Sequence, residues 1–158
     1  MTASAPSPTS TPAVRFKQPA TLADLARIHE QTAVAHLGIE FLELGTDRLV
    51  ARMPVDARTR QPMGLLHGGA SVLLAETLGS CAAALTLSEG QQAVGLEINA
   101  NHLRAARSGW VIGTCTPVHV GRSTQVWAIE IRDEAQRLVC VSRITMAILD
   151  ATREAARA

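Results

Sequence analysis

The hydrophobic positions along the chain change period several times, and each change marks an element. Residues 1–12, Met-Thr-Ala-Ser-Ala-Pro-Ser-Pro-Thr-Ser-Thr-Pro, carry no apolar period and read as a disordered tail that runs to about residue 18. Thr21 then stands as an N-cap with Asp24 three residues on. Leu22, Leu25 and Ile28 follow at helical spacing and Gly38 closes the stretch, which predicts one amphipathic helix. Residues 39–55 alternate, Ile39-Glu40-Phe41-Leu42-Glu43-Leu44 and Leu49-Val50-Ala51-Arg52-Met53 on either side of Gly45-Thr46-Asp47-Arg48, and predict a hairpin. A polar loop over 56–63 leads into a run from about Gly68 to Leu87 that is apolar on nearly every side and stops at Ser88-Glu89-Gly90. Beyond it the period falls to two. Ala93–His102, Trp110–Val120, Thr124–Arg132 and Leu138–Leu149 are strand candidates, with Trp127, Ile129 and Ile131 sharing one face and Asp133-Glu134-Ala135-Gln136 turning into the last strand.

Helix, hairpin, long helix and four strands in a meander-like run predict an α+β fold. One domain is expected over 19–150, between the tail at 1–18 and a polar C-terminal tail at 151–158. A mostly antiparallel sheet would curl around the long helix. One side of that helix would be left to cover, which predicts a partner subunit. Residues 68–88 are also long enough to span a membrane. A span would bury Glu76 at mid-bilayer, and no Lys/Arg cluster flanks it, so a core helix and no membrane are expected.

Composition narrows the functions. The 158 residues are 47% hydrophobic and 18% charged with a net charge of +1, so neither nucleic acid nor an anionic lipid surface is indicated. Phe16, Phe41, Trp110 and Trp127 are the aromatic residues, too few for a base-stacking platform. Cys81, Cys115 and Cys140 are widely spaced without a Cys-x-x-Cys, and the first residues lack the apolar core of a secretory signal. Reduced cysteines in a cytoplasmic protein are therefore expected. The five histidines lack metal-ligand spacing, so no metal is expected.

The chemistry gathers in the long helix. Glu76 is a carboxylate in an otherwise uncharged apolar run, where desolvation is costly without a partner or a task. His67-Gly68-Gly69 opens the same run. Glycines at a helix start present free N–H groups at the positive end of the dipole and let a ligand approach the backbone. Such donors suit an oxyanion hole. His67 could donate to the same oxygen or hold a neighbour, and Gln61 can offer a side-chain amide. Ser80, four residues past Glu76, shares its face. Gly68 and Glu76 are eight residues apart, about 12 Å along one helix, so a site using both must be built from two chains. No nucleophile elbow, Walker sequence or dinucleotide fingerprint competes.

Gln61-Pro-Met-Gly-Leu-Leu-His67-Gly68-Gly69-Ala-Ser-Val-Leu-Leu-Ala-Glu76-Thr-Leu-Gly-Ser80 closely resembles the hotdog-fold acyl-CoA thioesterases. The branch it resembles holds 4-hydroxybenzoyl-CoA thioesterase of the central-helix-glutamate type and the menaquinone-pathway 1,4-dihydroxy-2-naphthoyl-CoA thioesterase. Gly95-Leu-Glu-Ile-Asn-Ala-Asn-His102 and Gln125-Val-Trp-Ala-Ile-Glu-Ile are similar to the latter, and the likeness runs from about residue 20 to 149. The resemblance implies a hotdog fold and hydrolysis of an acyl-CoA, with an aromatic acyl group favoured. It implies Glu76 as nucleophile or general base, Gly68 N–H from the partner chain on the carbonyl, Gln61 and His67 orienting that end, and Ser80 near the attacking water. CoA is expected over Gly95, over His102, Leu103, Arg104 and Ala105, and over His119, Val120, Gly121, Arg122, Ser123 and Thr124. The last stretch also has a physical rationale, since a glycine turn with Arg122 and two hydroxyls can hold phosphate. No cofactor is implied, and the assembly is a homodimer at minimum with a homotetramer as in the family. A hotdog dehydratase or hydratase, or a non-catalytic acyl-CoA-binding protein, is the alternative. The first would need a second carboxylate near His67, and the second would not need Glu76.

Overall fold

The computed structural model describes residues 16–150; the segments 1–15 and 151–158, expected as tails, lie outside the described residues. The elements in chain order are α1 (Leu22–Ile28), α2 (Ala33–His36), β1 (Glu40–Leu44), β2 (Leu49–Pro54), α3 (Gly68–Leu85), β3 (Gln91–His102), β4 (Trp110–Val120), β5 (Thr124–Asp133) and β6 (Leu138–Asp150). The fold is α+β, a six-stranded antiparallel sheet ordered β1-β2-β4-β5-β6-β3 and packed on the 18-residue α3. It is a hotdog fold, as the resemblance implied.

The sequence pattern set the strands within a few residues, but two expectations are corrected. The single amphipathic helix up to Gly38 is two short helices. Thr21 and Asp24 form a reciprocal capping box on α1, which ends at His29. Gln31 then turns left-handed at φ 59°, and Thr32 caps α2 by accepting from the Val34 N–H. After Ile28 the helical positions fall on polar Gln31 and Thr32, and the expectation of one helix ran across that gap. The four-strand meander holds only for β4-β5-β6. β3 crosses to the far side of β6 and is an edge strand.

Phe16, Lys17 and Gln18, assigned to the tail, are fixed to the body. The Lys17 and Gln18 N–H groups both donate to Leu85 O at 2.8 and 3.1 Å, Gln18 Nε2 donates to Leu87 O at 3.0 Å, and Phe16 stacks on Trp127. The two bonds to Leu85 O satisfy a carbonyl of the kind every helix leaves free at its C-terminus. A buried chain of bonds holds the same end. Trp127 Nε1 donates to Gln125 Oε1, Gln125 Nε2 donates to Thr86 Oγ1, and Thr86 Oγ1 donates to Ala83 O.

Strands β2 to β6 all pack against α3. Leu74, Leu78, Trp127, Ile129, Ile131 and Ile144 are fully buried between helix and sheet. The remaining side of the helix carries Val72, Leu73, Glu76 and Ser80, all half-buried, between exposed Gly69 and Ala84. Their spacing of three and four residues makes one continuous stripe that the described elements cover only in part.

Gly79 and Gly113 permit the close helix–sheet approach. A Cβ at Gly113 would lie 2.7 Å from Leu78 Cδ1, and one at Gly79 would run into Ile144 Cγ2. The latter atom belongs to a stiff β-branched side chain with no room to yield. Gly79→Ala should therefore destabilise the protein by about 1–3 kcal/mol despite alanine's better helix propensity. A lower urea midpoint at unchanged slope is the expected reading; an unchanged or higher midpoint would mean that the helix can lift off the sheet freely.

Candidate active site

The start of α3 is held by the loop before it. Thr59 is buried and its hydroxyl donates to Pro54 O at 2.6 Å. Its own carbonyl accepts the His67 N–H at 2.8 Å, and the Leu66 N–H donates to Ala106 O at 2.8 Å. Gln61 to Gly64 make a tight turn, closed by Gly64 N–H to Gln61 O at 2.9 Å with Gly64 at φ +74°. The Met63 N–H donates to Gln61 Oε1, which leaves the Gln61 NH₂ as the outward donor.

His67 is the N-cap of α3. Its Nδ1 accepts the Gly69 N–H at 2.8 Å. The two glycine N–H groups expected as anion donors thus divide: Gly69 is committed to the cap, while the Gly68 N–H has no partner among the described residues. His102 lies beside Gly68, where an added Cβ would lie 2.9 Å from His102 Nε2. Gln61, Gly68, Ser71 and His102 to Ala105 line one cleft of about 330 Å³. The sequence-predicted residues Gln61, Gly68, His102, Leu103, Arg104 and Ala105 therefore meet at the N-terminal end of the helix.

Glu76 is not in that cleft. It lies half-buried in the uncovered stripe, with Ser80 Oγ 3.4 Å from Oε1. Facing it is Gly95, where an added Cβ would come 2.8 Å from Glu76 Oε1. Gly95, expected under CoA, is thus a neighbour of the carboxylate. The register of β3 against β6 shifts between Gly95 and Glu97. Before this bulge Ala93 faces the core, and after it Ile98 and Ala100 do. Bulges often re-aim side chains beside active sites. The signal available in the sequence was one glycine inside a strand pattern.

His119 to Thr124 form a third group. They make the β4–β5 turn, with Gly121 N–H to Thr124 O at 3.0 Å and Ile148 N–H to Ser123 O at 2.9 Å. Gly121 and Arg122 share a cleft of about 320 Å³ with Thr86, Leu87 and Lys17, at the C-terminal end of α3. Apart from Gly95 at mid-helix, the residues expected to contact CoA within one chain thus fall at opposite ends of an 18-residue helix. The sequence missed Lys17 altogether, because its place depends on the backbone bonds to Leu85.

Cysteine nucleophiles are disfavoured. Burial pushes the Cys81 thiol up to about 12 and raises Cys115 as well, so neither offers a thiolate. What remains is a carboxylate with a neighbouring hydroxyl, and an unpaired helix-start N–H in another place on the surface.

The thioesterase superfamily profile matches residues 63–140. The chain is 55% identical over 134 residues to 1,4-dihydroxy-2-naphthoyl-CoA hydrolase of Escherichia coli, spanning 85% of this chain and 98% of that protein. It is 54% identical over 134 residues to proofreading thioesterase EntH of Cronobacter sakazakii, with the same coverage. A crystal structure of a thioesterase from Haemophilus influenzae superposes with a TM-score of 0.84 at 52% identity, over 86% of this chain and 95% of that one.

The contact between Gly95 and Glu76 can be tested directly. Gly95 has no left-handed φ, so alanine is not strained there, but its methyl must displace the carboxylate. Gly95→Ala should keep the melting temperature within a few degrees and lower kcat for thioester hydrolysis about 10²-fold, the usual result of an ångström-scale misplacement. Unchanged kcat would show that the carboxylate position is not critical.

Proposed function

The chain belongs to the thioesterase superfamily and is an acyl-CoA thioesterase, and from this premise we propose that it hydrolyses an aromatic acyl-CoA in a site shared by two subunits. The observation that carries the reading is the stripe of α3 that the described part of its own sheet leaves half-covered, with Glu76 and Ser80 at its middle. A second copy covers it most simply by packing its own α3 antiparallel. The partner's Gly68 then lies beside Glu76, which bridges the separation of about 12 Å that one helix imposes. The outer edge of β3, with exposed Val94 and Leu96, would be covered by the same contact. A dimer with two sites is the minimum unit, and a tetramer is the family's arrangement.

In this arrangement the Gly68 N–H of the partner subunit donates to the thioester oxygen as it gains negative charge. Glu76 acts in one of two ways. As general base it takes a proton from water, whose oxygen attacks the carbonyl carbon; the C–S bond breaks, and the CoA sulfur leaves with the proton. As nucleophile it forms a mixed anhydride, with loss of CoA, which water then cleaves. Ser80 is placed to orient the water or the carboxylate. The partner's Gln61 and the partner's His67 hold the oxyanion end, one as an amide donor and the other as the cap that leaves Gly68 free.

Antiparallel packing also lays the partner's cleft along the C-terminal half of α3. CoA would run from Glu76 past the partner's His102 and the partner's Arg104 to the turn at His119–Thr124. Glu76 and Leu85 are nine residues apart, about 14 Å, a length that a pantetheine arm can span. The aromatic acyl group is supported by the similarity to the 1,4-dihydroxy-2-naphthoyl-CoA hydrolase. Three free, buried cysteines accord with a reducing cytoplasm as the location.

Two variants test sharing. Glu76→Gln should fold normally and lose at least about 10²-fold in kcat. Gly68→Pro removes the N–H at the first helical position, where the proline ring suits the backbone after a His67 already at φ −69° and ψ 132°, and its Cβ pushes the His102 ring aside, so a matched melting temperature is checked first. It should lose activity by a similar factor. Refolding the two inactive chains together should restore up to about a quarter of wild-type activity, because half the dimers are mixed and each carries one intact site. No recovery in confirmed mixed dimers would place both groups in one chain's site.

Arg122→Ala should raise KM for every acyl-CoA by a similar factor at nearly constant kcat, as loss of uniform binding does. It should matter far less for an acyl-N-acetylcysteamine, which has no nucleotide. Equal damage with both substrates would move Arg122 to the reacting end.

A further inference from the structure

We propose that Lys17 is a phosphate-binding residue, delivered to the CoA nucleotide by the strap Phe16–Gln18 and acting jointly with Arg122. The assignment rests on the nucleotide lying at the C-terminal end of α3. Lys17 and Arg122 line the same cleft of about 320 Å³, together with Ser88, Gln91 and Gly121. Among the described residues no carboxylate lines it and neither cation takes part in an ion pair. One cation would suit the negative end of the helix dipole. Two on one cleft repel each other and leave a positive surplus that an anion would relieve. Ser88 and Gln91 add side-chain donors at the rim, although Gln91 Oε1 is occupied by the Ser88 N–H at 3.0 Å.

Lys17 is not a freely waving surface lysine at its root. Its N–H and that of Gln18 are bonded to Leu85 O, and its neighbours are anchored to Trp127 and Leu87. A pinned backbone lowers the ordering cost that an ammonium pays when it grips phosphate. The strap also caps the helix carbonyl of Leu85 and the Leu87 carbonyl just beyond the helix end, which would otherwise face an incoming polyanion with negative partial charge. One segment thus removes a repulsive surface and supplies an attractive one. The side chain of Lys17 makes none of the anchoring bonds, so it can be exchanged without releasing the strap.

The test compares Lys17→Ala and Lys17→Arg with wild type, using free CoA by titration calorimetry and benzoyl-CoA, benzoyl-dephospho-CoA and S-benzoyl-N-acetylcysteamine by turnover. Lys17→Ala should weaken CoA binding and raise KM for benzoyl-CoA about tenfold, as expected for a lost charge-assisted bond, with kcat and melting temperature held. Lys17→Arg should restore most of both, and the N-acetylcysteamine substrate should show no difference. A KM effect that disappears with dephospho-CoA assigns Lys17 to the 3′-phosphate; one that persists assigns it to the diphosphate. Unchanged CoA affinity in Lys17→Ala overturns the proposal, and so does an equal KM rise on the truncated substrate. If Arg122→Ala weakens CoA and Lys17→Ala does not, the nucleotide location stands and Lys17 falls. If neither variant alters CoA affinity, the nucleotide location itself falls. Calorimetry with CoA decides on Lys17 even if the substrate screen finds no turnover.

Discussion

A helix that is apolar on nearly every side has to be sheathed, and the rest of this structure follows from how that is done. Burying α3 gains on the order of 25 cal/mol for each Å² of apolar surface removed from water, and the sheet supplies most of the cover. Five strands curl around it, and glycines at 79 and 113 bring backbone to within reach of Ile144 and Leu78. The sheet closes on all but one stripe. That stripe is where a carboxylate can sit without being fully desolvated, and where a second chain can reach it. Core formation and placement of Glu76 are therefore one geometric problem with one solution.

Much of this was legible in the chain because burial writes itself as period. Trp127, Ile129 and Ile131 alternate into the core as read, and β4 begins and ends at the expected residues. Glu76 was legible because a charge in an apolar run violates the local pattern. What escaped depends on partners far away in sequence. Nothing local tells β3 to pair with β6 instead of β4, because strand order is decided by long-range bonds and the crossover that carries them. The bulge after Gly95 changes which face of β3 is buried without altering its composition. The left-handed Gln31 separates two short helices at a polar stretch, His29 to Thr32, that carries no glycine or proline to mark a break.

The helix start shows how a motif can be read correctly in outline and differently in detail. Two glycines offered two donors, but histidine at the N-cap takes one of them through Nδ1. That leaves the Gly68 N–H without a partner among the described residues, with the His102 ring close enough to Gly68 that an added Cβ would have to displace it. A ligand oxygen is the natural remaining partner for a donor so placed. The loop supports this end through Thr59, a buried hydroxyl that no sequence motif singles out.

Helix length then divides the work. About 12 Å separates Gly68 from Glu76 and about 14 Å separates Glu76 from Leu85. No small reacting group can touch both ends, but a long cofactor-like substrate with a reactive terminus, a flexible arm and a polyanionic head needs contacts spread over such distances. One terminus of α3 offers a bare N–H where negative charge is welcome. The other would repel phosphate if its carbonyls were left open. The strap from Phe16 to Gln18 answers that problem by bonding Leu85 and Leu87 and setting a lysine beside Arg122. In this reading the negative pole of the helix is masked where the anionic head must lie, the positive pole is exposed where the oxyanion forms, and the segment that does the masking belongs to the folded body from Phe16 onward.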